Sequence, residues 1–347
     1  MRELLKELSL AFGPSGCEDE VREIIKKYTK ENMPLDSEIF EDRVGGVFLH
    51  VKNEGKPRLM ICAHMDEVGF MVTHIEDSGL LRFGCVGGID PIVLTSKRVI
   101  SESGSRGSII AKPVHLLSPD ERGKRPLVDN MLIDIGASSK EEAEKLTFVG
   151  EYFTFDSEYV EFGKGYVKCK ALDDRLGCAI MCRLIKKLKE ENIKSEYDLY
   201  FAFTCREEVS FSGAASATRI INPDYGLVIE SKAVSDVEGV SDQKKVAVLG
   251  EGAIVSFADL GTIYERDFTW HIMDLCKEKG IKYQVHRIVS GGNDSRHIQT
   301  MAGGTKVALL SAASRYIHSP ADVVHYDDLE AIYSALEAVV FEKQRGI

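Results

Sequence analysis

The stretch YDLYFAFTCREEVSFSGA (residues 197–214) carries a nearly unbroken apolar run, Tyr197 to Phe203, and then a small-residue segment around Gly213 and Ala214. A run without polar alternation is the mark of a strand buried on both faces, and a helix following it is the repeating unit of a parallel sheet. At the end of this strand stand two adjacent carboxylates, Glu207 and Glu208. Two ionised neighbours on a half-buried rim cost on the order of several kcal/mol unless a cation or a proton compensates them. The stretch therefore poses the fold and the chemistry together.

The same texture extends outward on both sides. After residue 165, DRLGCAIMCRLIKKLKEEN is an amphipathic helix, GAASATRII a helix, DYGLVIE a buried strand and RDFTWHIMDLCKEKG a helix. KVALLSAA is a further strand and YDDLEAIYSALEAVVFEKQ a last helix. Near the N-terminus, RELLKELSLAF has helical leucine spacing until GPSG interrupts it; Ser15 and Glu18 then have the spacing of a capping box for CEDEVREIIKKYTKEN. Residues 38–64 predict two strands joined near Asn53–Gly55, the second of them deeply buried. Strands alternating with helices imply a mostly parallel sheet covered by helices on both faces. Between about 70 and 163 the pattern changes to short alternating segments cut by Gly, Ser and Pro, with SSKEEAEKL (138–146) as the one helical exception. The expected organisation is an α/β catalytic domain made of residues 1–69 and 164–347, with a small β domain inserted at 70–163.

The bulk numbers restrict the partners. Of the 347 residues, 44% are hydrophobic and 29% charged, an ordinary globular balance. A net charge of -11 argues against nucleic acid or an anionic membrane as the main partner, since both need a basic footprint. No segment approaches the roughly 18 uninterrupted apolar residues of a membrane span. The first residues carry Arg2, Glu3, Lys6 and Glu7 where a signal peptide would be apolar. The eight cysteines are scattered without a C-x-x-C pair, as expected of reduced, buried thiols in a cytoplasmic protein.

Open α/β sheets place their sites at the carboxyl ends of the strands. The ionisable residues that follow the apolar runs make a short list: His64-Met65-Asp66-Glu67, Glu207-Glu208, Glu230 and His318, with Asp173-Asp174 just before a helix. Taken singly, each has a plain structural explanation. Asp173-Asp174 could cap the helix, His318 could sit in a turn, and Glu230 could pair with Lys232 or a nearby arginine. Taken together, one imidazole and one carboxylate for each of two ions, with a further carboxylate shared, is the composition of a dinuclear zinc or cobalt site. The H-x-D spacing of His64 and Asp66 lets the aspartate take the second imidazole N–H and orient the ligand. The other histidines show no partner pattern, and His297 has no assigned role. No P-loop, dinucleotide-binding glycine motif or nucleophile elbow is present.

These residues resemble the TET-type or glutamyl (deblocking) aminopeptidases, cocatalytic metallopeptidases of which some have been labelled endoglucanase or cellulase homologues. The matching segments are AHMDEVGFMV (63–72), KALDDRLGCA (170–179), REEVSFSGA (206–214), DYGLVIE (224–230) and SRYIHSP (314–320). GPSGCEDEVR and LIDIGASSKEEAEKL match less closely. The resemblance spans nearly the whole chain in order. It implies a zinc-peptidase-like α/β domain with a small β-barrel or PDZ-like insert for dimerisation, and a homo-oligomer that can reach a dodecamer. It implies that His64 and Glu230 complete one metal's shell and Glu208 and His318 the other's. Asp173 then bridges them, Asp66 orients His64, and Glu207 is the general base. The implied activity is hydrolysis of N-terminal residues from peptides, with two divalent ions, Zn2+ or Co2+, in each subunit. Glu230 replaces the more usual Asp, EEVSFSGA the usual EEVGLRGA, and SGGNDSRHIQ the usual GGTDA, all where substrate is gripped. Two alternative activities remain open at the level of sequence: a related metal-dependent deacylase, and a glucanase-type glycoside hydrolase. A chain with one tryptophan is poor in the aromatic platforms that sugar binding uses.

Overall fold

The computed structural model of the protein describes residues 1–120, 123–192 and 194–342. The opening stretch is the strand Asp198–Thr204, buried along its whole length. It runs parallel to Arg58–His64 in a register that sets Thr204 opposite His64. Tyr225–Ala233 lies parallel on the far side of Arg58–His64, and Lys306–Ser314 lies parallel to it in turn. These four strands are the centre of an eight-stranded sheet. The antiparallel pair Ser37–Glu41 and Val47–Val51 flanks it at one edge, and the short strands Ala253–Val255 and Tyr283–Val285 at the other.

Residues 37–64 thus make three strands where the sequence pattern predicts two. The extra turn is set by Asp42, whose carboxylate accepts the backbone N–H groups of Val44, Gly45 and Gly46 at 3.0, 2.9 and 2.8 Å. A short acid bonding its own backbone makes a tight turn without any break in the apolar pattern.

Alternation within the strands divides the core in two. Ile61, Ala63, Phe201, Phe203, Leu227 and Ile229 face the helices Arg2–Leu10, Asp19–Asn32, Leu172–Glu191, Arg266–Lys279 and Tyr326–Phe341. Met60, Cys62, Tyr200, Ala202 and Val228 face Ser212–Ile221 and Ser295–Ile298. The architecture is the expected α/β sheet covered on both faces. The capping box at Ser15 does not form: helix Asp19–Asn32 has Glu18 at its cap position, whose carboxylate accepts the Gly16 N–H at 2.8 Å and does not cap the helix, and the Ser15 hydroxyl goes to Asp66 at 2.5 Å.

Strands between Gly69 and Phe155 close into a six-stranded antiparallel barrel. Its core holds Phe70, Phe83, Val99, Ile109, Ile133, Phe153 and Phe155. Phe70 meets Phe83 and Phe155 edge to face at 5.3 and 5.1 Å. Closure leaves the barrel no free edge. The next strand, Val160–Phe162, is outside the barrel and pairs with Tyr166–Cys169, which pairs with Asp322–His325. Of the helical segment 138–146 only Lys140–Ala143 is helical, with the Ser139 hydroxyl accepting the Glu142 N–H at 3.3 Å. All eight cysteines are free, and no helix among the described residues is long and apolar enough to cross a membrane.

Candidate metal centre

The parallel register brings His64, Thr204 and Glu230 to one rim of the sheet, and the loops beyond them converge there. Nδ1 of His64 lies 3.1 Å from the Asp66 carbonyl oxygen and 3.5 Å from its carboxylate. Nε2 is thereby turned outward, 3.4 Å from Asp173 Oδ1 and 3.6 Å from Glu230 Oε1. His318 is arranged in the same way. Its Nδ1–H donates to the Gly88 carbonyl at 2.6 Å, which leaves Nε2 3.2 Å from both Asp173 Oδ2 and Glu208 Oε2. Asp173 therefore offers one carboxylate oxygen to each imidazole. The groups His64, Asp173, Glu208 and His64, Asp174, Glu230 each bring their ligand atoms within 4.8 Å of one another.

Asp66 aligns more than the histidine. Its buried carboxylate accepts the Ser15 hydroxyl and the backbone N–H groups of Glu207 and Glu208, at 2.5, 3.0 and 3.2 Å. Burial works to raise its pKa, but His64, Ser15 and these N–H groups hold it below the ordinary aspartate value. The two glutamates enter a single helical turn, Glu207–Ser210, through Arg206 at φ +59°. Neighbours in such a turn project in different directions: Glu208 reaches His318, while Glu207 is buried under the charges of His64, Glu230, Glu208 and Asp294. Ala171 and His318 also have left-handed backbones, at φ +52° and +59°. Three loops that carry candidate ligands thus hold side-chain residues where glycine is the comfortable choice, a strain that persists only when the surroundings enforce it.

The site has too little positive charge for its carboxylates. Burial pushes Glu208 and Glu230 up to about 8 and Glu207 well above the ordinary range. Burial alone would lower His318, yet Asp173 and Glu208 carry it up to about 10. His64 is raised as well, by Glu230, Asp173 and Asp66 against its burial. Asp173 is held well below its usual value because His318 and His64 outweigh burial. Asp173 Oδ1 is buried with no hydrogen-bond partner among the described residues. Mixed imidazole and carboxylate donors around an orphaned buried oxygen fit divalent cations such as zinc or cobalt.

The structure brings together His64, Asp66, Asp173, Glu207, Glu208, Glu230 and His318. Asp174, joined to Asp173 by a cis peptide bond, faces the backbone, accepting the N–H groups of His64 and Gly177 at 3.3 and 3.2 Å. His297 stays outside and packs on Phe211 at 5.7 Å. Two supporting carboxylates, Asp322 and Asp294, are absent from the residues that follow the predicted strands, and a third, Glu67, is among them but takes another role. Asp322 accepts the Asp173 N–H at 3.3 Å and is pushed up to about 7 by burial. Asp294 accepts the Thr204 hydroxyl at 2.7 Å and is pushed up to about 6, again by burial. Glu67, the last residue of the His64–Glu67 group, turns away from the rim to Lys170 at 2.6 Å, Arg175 at 3.7 Å and the Thr154 hydroxyl at 2.8 Å.

Comparison with known proteins points the same way. The family model for M42 glutamyl aminopeptidases matches residues 45–334. A TET aminopeptidase from a marine-sediment Thaumarchaeota archaeon superposes with a TM-score of 0.94 at 31% identity, covering 99% of this chain and 96% of that one. A Pyrococcus horikoshii TET1 peptidase, described as assembling into a tetrahedron or a large octahedral shell, gives 0.86 at 32% identity over 99% of both chains. A Thermotoga maritima protein described as an endoglucanase gives 0.79 at 30% identity, over 97% of this chain and 96% of that one.

Proposed function

This chain belongs to the M42 glutamyl aminopeptidase family, and from that premise we propose that it is a dinuclear metallo-aminopeptidase removing N-terminal residues from peptides. The observation that carries the proposal is Asp173, one carboxylate facing two outward-turned imidazoles, with Glu230 beyond one and Glu208 beyond the other. His64, Asp173 and Glu230 would hold one divalent ion, and Asp173, Glu208 and His318 the second. Zinc or cobalt bound there would supply a Lewis acid that polarises the scissile carbonyl and acidifies water.

The protein's own residues do the rest. Asp66 fixes the His64 tautomer and the turn that presents both glutamates. Glu207 accepts a proton from the attacking water and returns it to the leaving nitrogen. Asp322 and Asp174 brace the Asp173 loop through the backbone bonds described above. The inserted unit at 70–163 is assigned to association between copies, leaving residues 1–69 and 164–347 as the catalytic part. The closed barrel and the shell-forming relative support that assignment. A glucanase mechanism fits poorly, because it wants two carboxyls about 5–9.5 Å apart across a sugar, whereas carboxylate oxygens of Asp173 and Glu208 lie within 4.8 Å of one another and of a His64 nitrogen.

Glu207→Gln tests the base directly. Turnover of aminoacyl-anilides should fall by roughly 100- to 10,000-fold, with metal content still near that of the wild type. A variant that keeps full activity would remove Glu207 from the mechanism.

A further inference from the structure

The two imidazoles of the rim are oriented from different parts of the chain. Nδ1 of His64 faces Asp66, two residues away. Nδ1–H of His318 donates instead to the Gly88 carbonyl, 230 positions earlier. Gly88 stands in the loop that leaves the barrel strand Leu81–Val86. An imidazole offers a metal whichever ring nitrogen its other hydrogen bond leaves free, so the partner of Nδ1 decides where Nε2 points.

Gly87, just before it, lies against the other candidate ligand on that side. Its φ is +87°, and a Cβ there would come within 2.9 Å of Val68 Cγ1, 3.3 Å of Glu208 Cβ and 3.5 Å of the Glu208 carbonyl oxygen. Only glycine combines that backbone with so close an approach. The loop is pinned in turn, since the Asp90 carboxylate accepts the Ile92 N–H at 3.0 Å and pairs with Arg125 at 2.5 Å.

The inserted unit grips the His318 loop a second time. The Ser157 hydroxyl, just past the barrel strand Tyr152–Phe155, donates to the Pro320 carbonyl at 2.6 Å and accepts Lys168 Nζ at 3.4 Å. Phe155 of the barrel core borders the small cavity shared by Asp173, Glu208 and His318. On the other side of Asp173 the supports differ. Among the described residues, the side-chain partners of His64 and Glu230 all lie before residue 70 or after residue 163.

Building on the dinuclear reading, we propose that the inserted barrel is a working part of the metal centre as well as a unit of association. Gly87, Gly88 and Ser157 are positioning residues for Glu208 and His318, so the second ion's site is complete only with the barrel docked against the rim. The ion held by His64, Asp173 and Glu230 draws on no support from the insert.

Cobalt titration of metal-stripped protein, followed by calorimetry and by visible absorption, tests this. Gly87→Ala should weaken the second ion by about 10- to 100-fold, the usual cost of disturbing a ligand's outer partner, while the first binds as in wild type. Ser157→Ala should weaken the same ion in the same direction, and it carries the test if Gly87→Ala does not fold. Gly79→Ala is the control. Gly79 stands in the turn at the other end of the same barrel strand, also at φ +87°, and a Cβ there would lie 2.7 Å from the Ala137 carbonyl oxygen. That change strains the barrel away from the rim and should leave both ions bound. An unchanged second ion in Gly87→Ala, equal weakening of both ions, or the same loss in Gly79→Ala overturns the proposal. A wild type that takes up only one ion sinks the dinuclear reading instead. The positioning claim is then judged by NMR of metal-free protein carrying isotope-labelled histidine, with His318→Gln for assignment. The hydrogen-bonded Nδ1 proton of His318 should persist in Gly79→Ala and vanish in Gly87→Ala; its survival in Gly87→Ala rejects the claim.

Discussion

Asp66 and Glu67 are neighbours in sequence and both are buried, yet the charge clusters they join differ in kind. Glu67 meets Lys170 and Arg175 and also bonds Thr154, so its charge is matched by cations of the chain itself. Those two cations in turn bond the carbonyls of Ala11, Leu8 and Gly13. The cluster ties the N-terminal break, the start of helix Leu172–Glu191 and the barrel into one joint. Asp66 belongs to the rim, where Asp173, Glu207, Glu208 and Glu230 share two imidazoles. Buried charge that serves structure is paired within the protein. Buried charge left short of cations points to a partner from outside, and here the two cases sit one residue apart.

Removing one carboxylate from each cluster should therefore act with opposite sign. Glu67→Ala leaves Lys170 and Arg175 buried without their counter-charge and should destabilise the fold by about 3–5 kcal/mol, read by denaturant unfolding. Glu208→Gln should stabilise chelator-stripped protein at pH 8, by about 1 kcal/mol or more, while weakening metal uptake. Equal destabilisation by both changes would erase the distinction between the two regions.

The same comparison has a pH signature. Glu208 and Glu230 move from 4.5 to about 8 on folding, through burial first. Between those values the folded chain binds more protons than the unfolded one, so stability falls as pH climbs through the window. His318, carried from 6.5 to about 10 by Asp173 and Glu208 against its burial, acts in the same direction above pH 6.5. Thermal unfolding in EDTA should give a melting temperature that drops from about pH 5 to about pH 8, and added zinc should recover it most at the upper end. A melting temperature that rises over that range would mean that the rim carboxylates are not crowded as described.

The last effect concerns the Ser15 hydroxyl that supports Asp66. Ser15→Ala removes one hydrogen bond to a buried carboxylate and should cost about 1–3 kcal/mol of stability. Activity should drop with it, because the same carboxylate sets the turn at Glu207 and Glu208. Loss of stability with full activity would make Ser15 a packing contact only.

Much of this was legible in the sequence because the signals are local. An unbroken apolar run gave the central strand and acids after strands gave the rim, while the H-x-D spacing pointed to the Asp66 carboxylate where the backbone carbonyl of Asp66 is the nearer group to His64 Nδ1, at 3.1 against 3.5 Å. The features that escaped depend on contacts far apart in the chain. Glu67 and Lys170 are separated by more than a hundred positions, and nothing near either residue announces the pairing. Ser15 and Glu18 have capping-box spacing, but a buried carboxylate across the fold takes the hydroxyl. The edge strands Ala253–Val255 and Tyr283–Val285 are three residues each, too short for a periodicity to show. Lys232 stands two places after Glu230, where a pair with that carboxylate is the simple expectation, but its hydrogen bond goes to the Ser290 carbonyl.

Metal analysis of wild type against Asp173→Asn tests the central claim most directly, since one carboxylate is held to serve both ions. Zinc-reconstituted wild type should carry close to two ions per chain by inductively coupled plasma mass spectrometry, and the variant should lose both together. A wild type that binds fewer than one ion, or a variant that keeps two, would contradict the dinuclear centre.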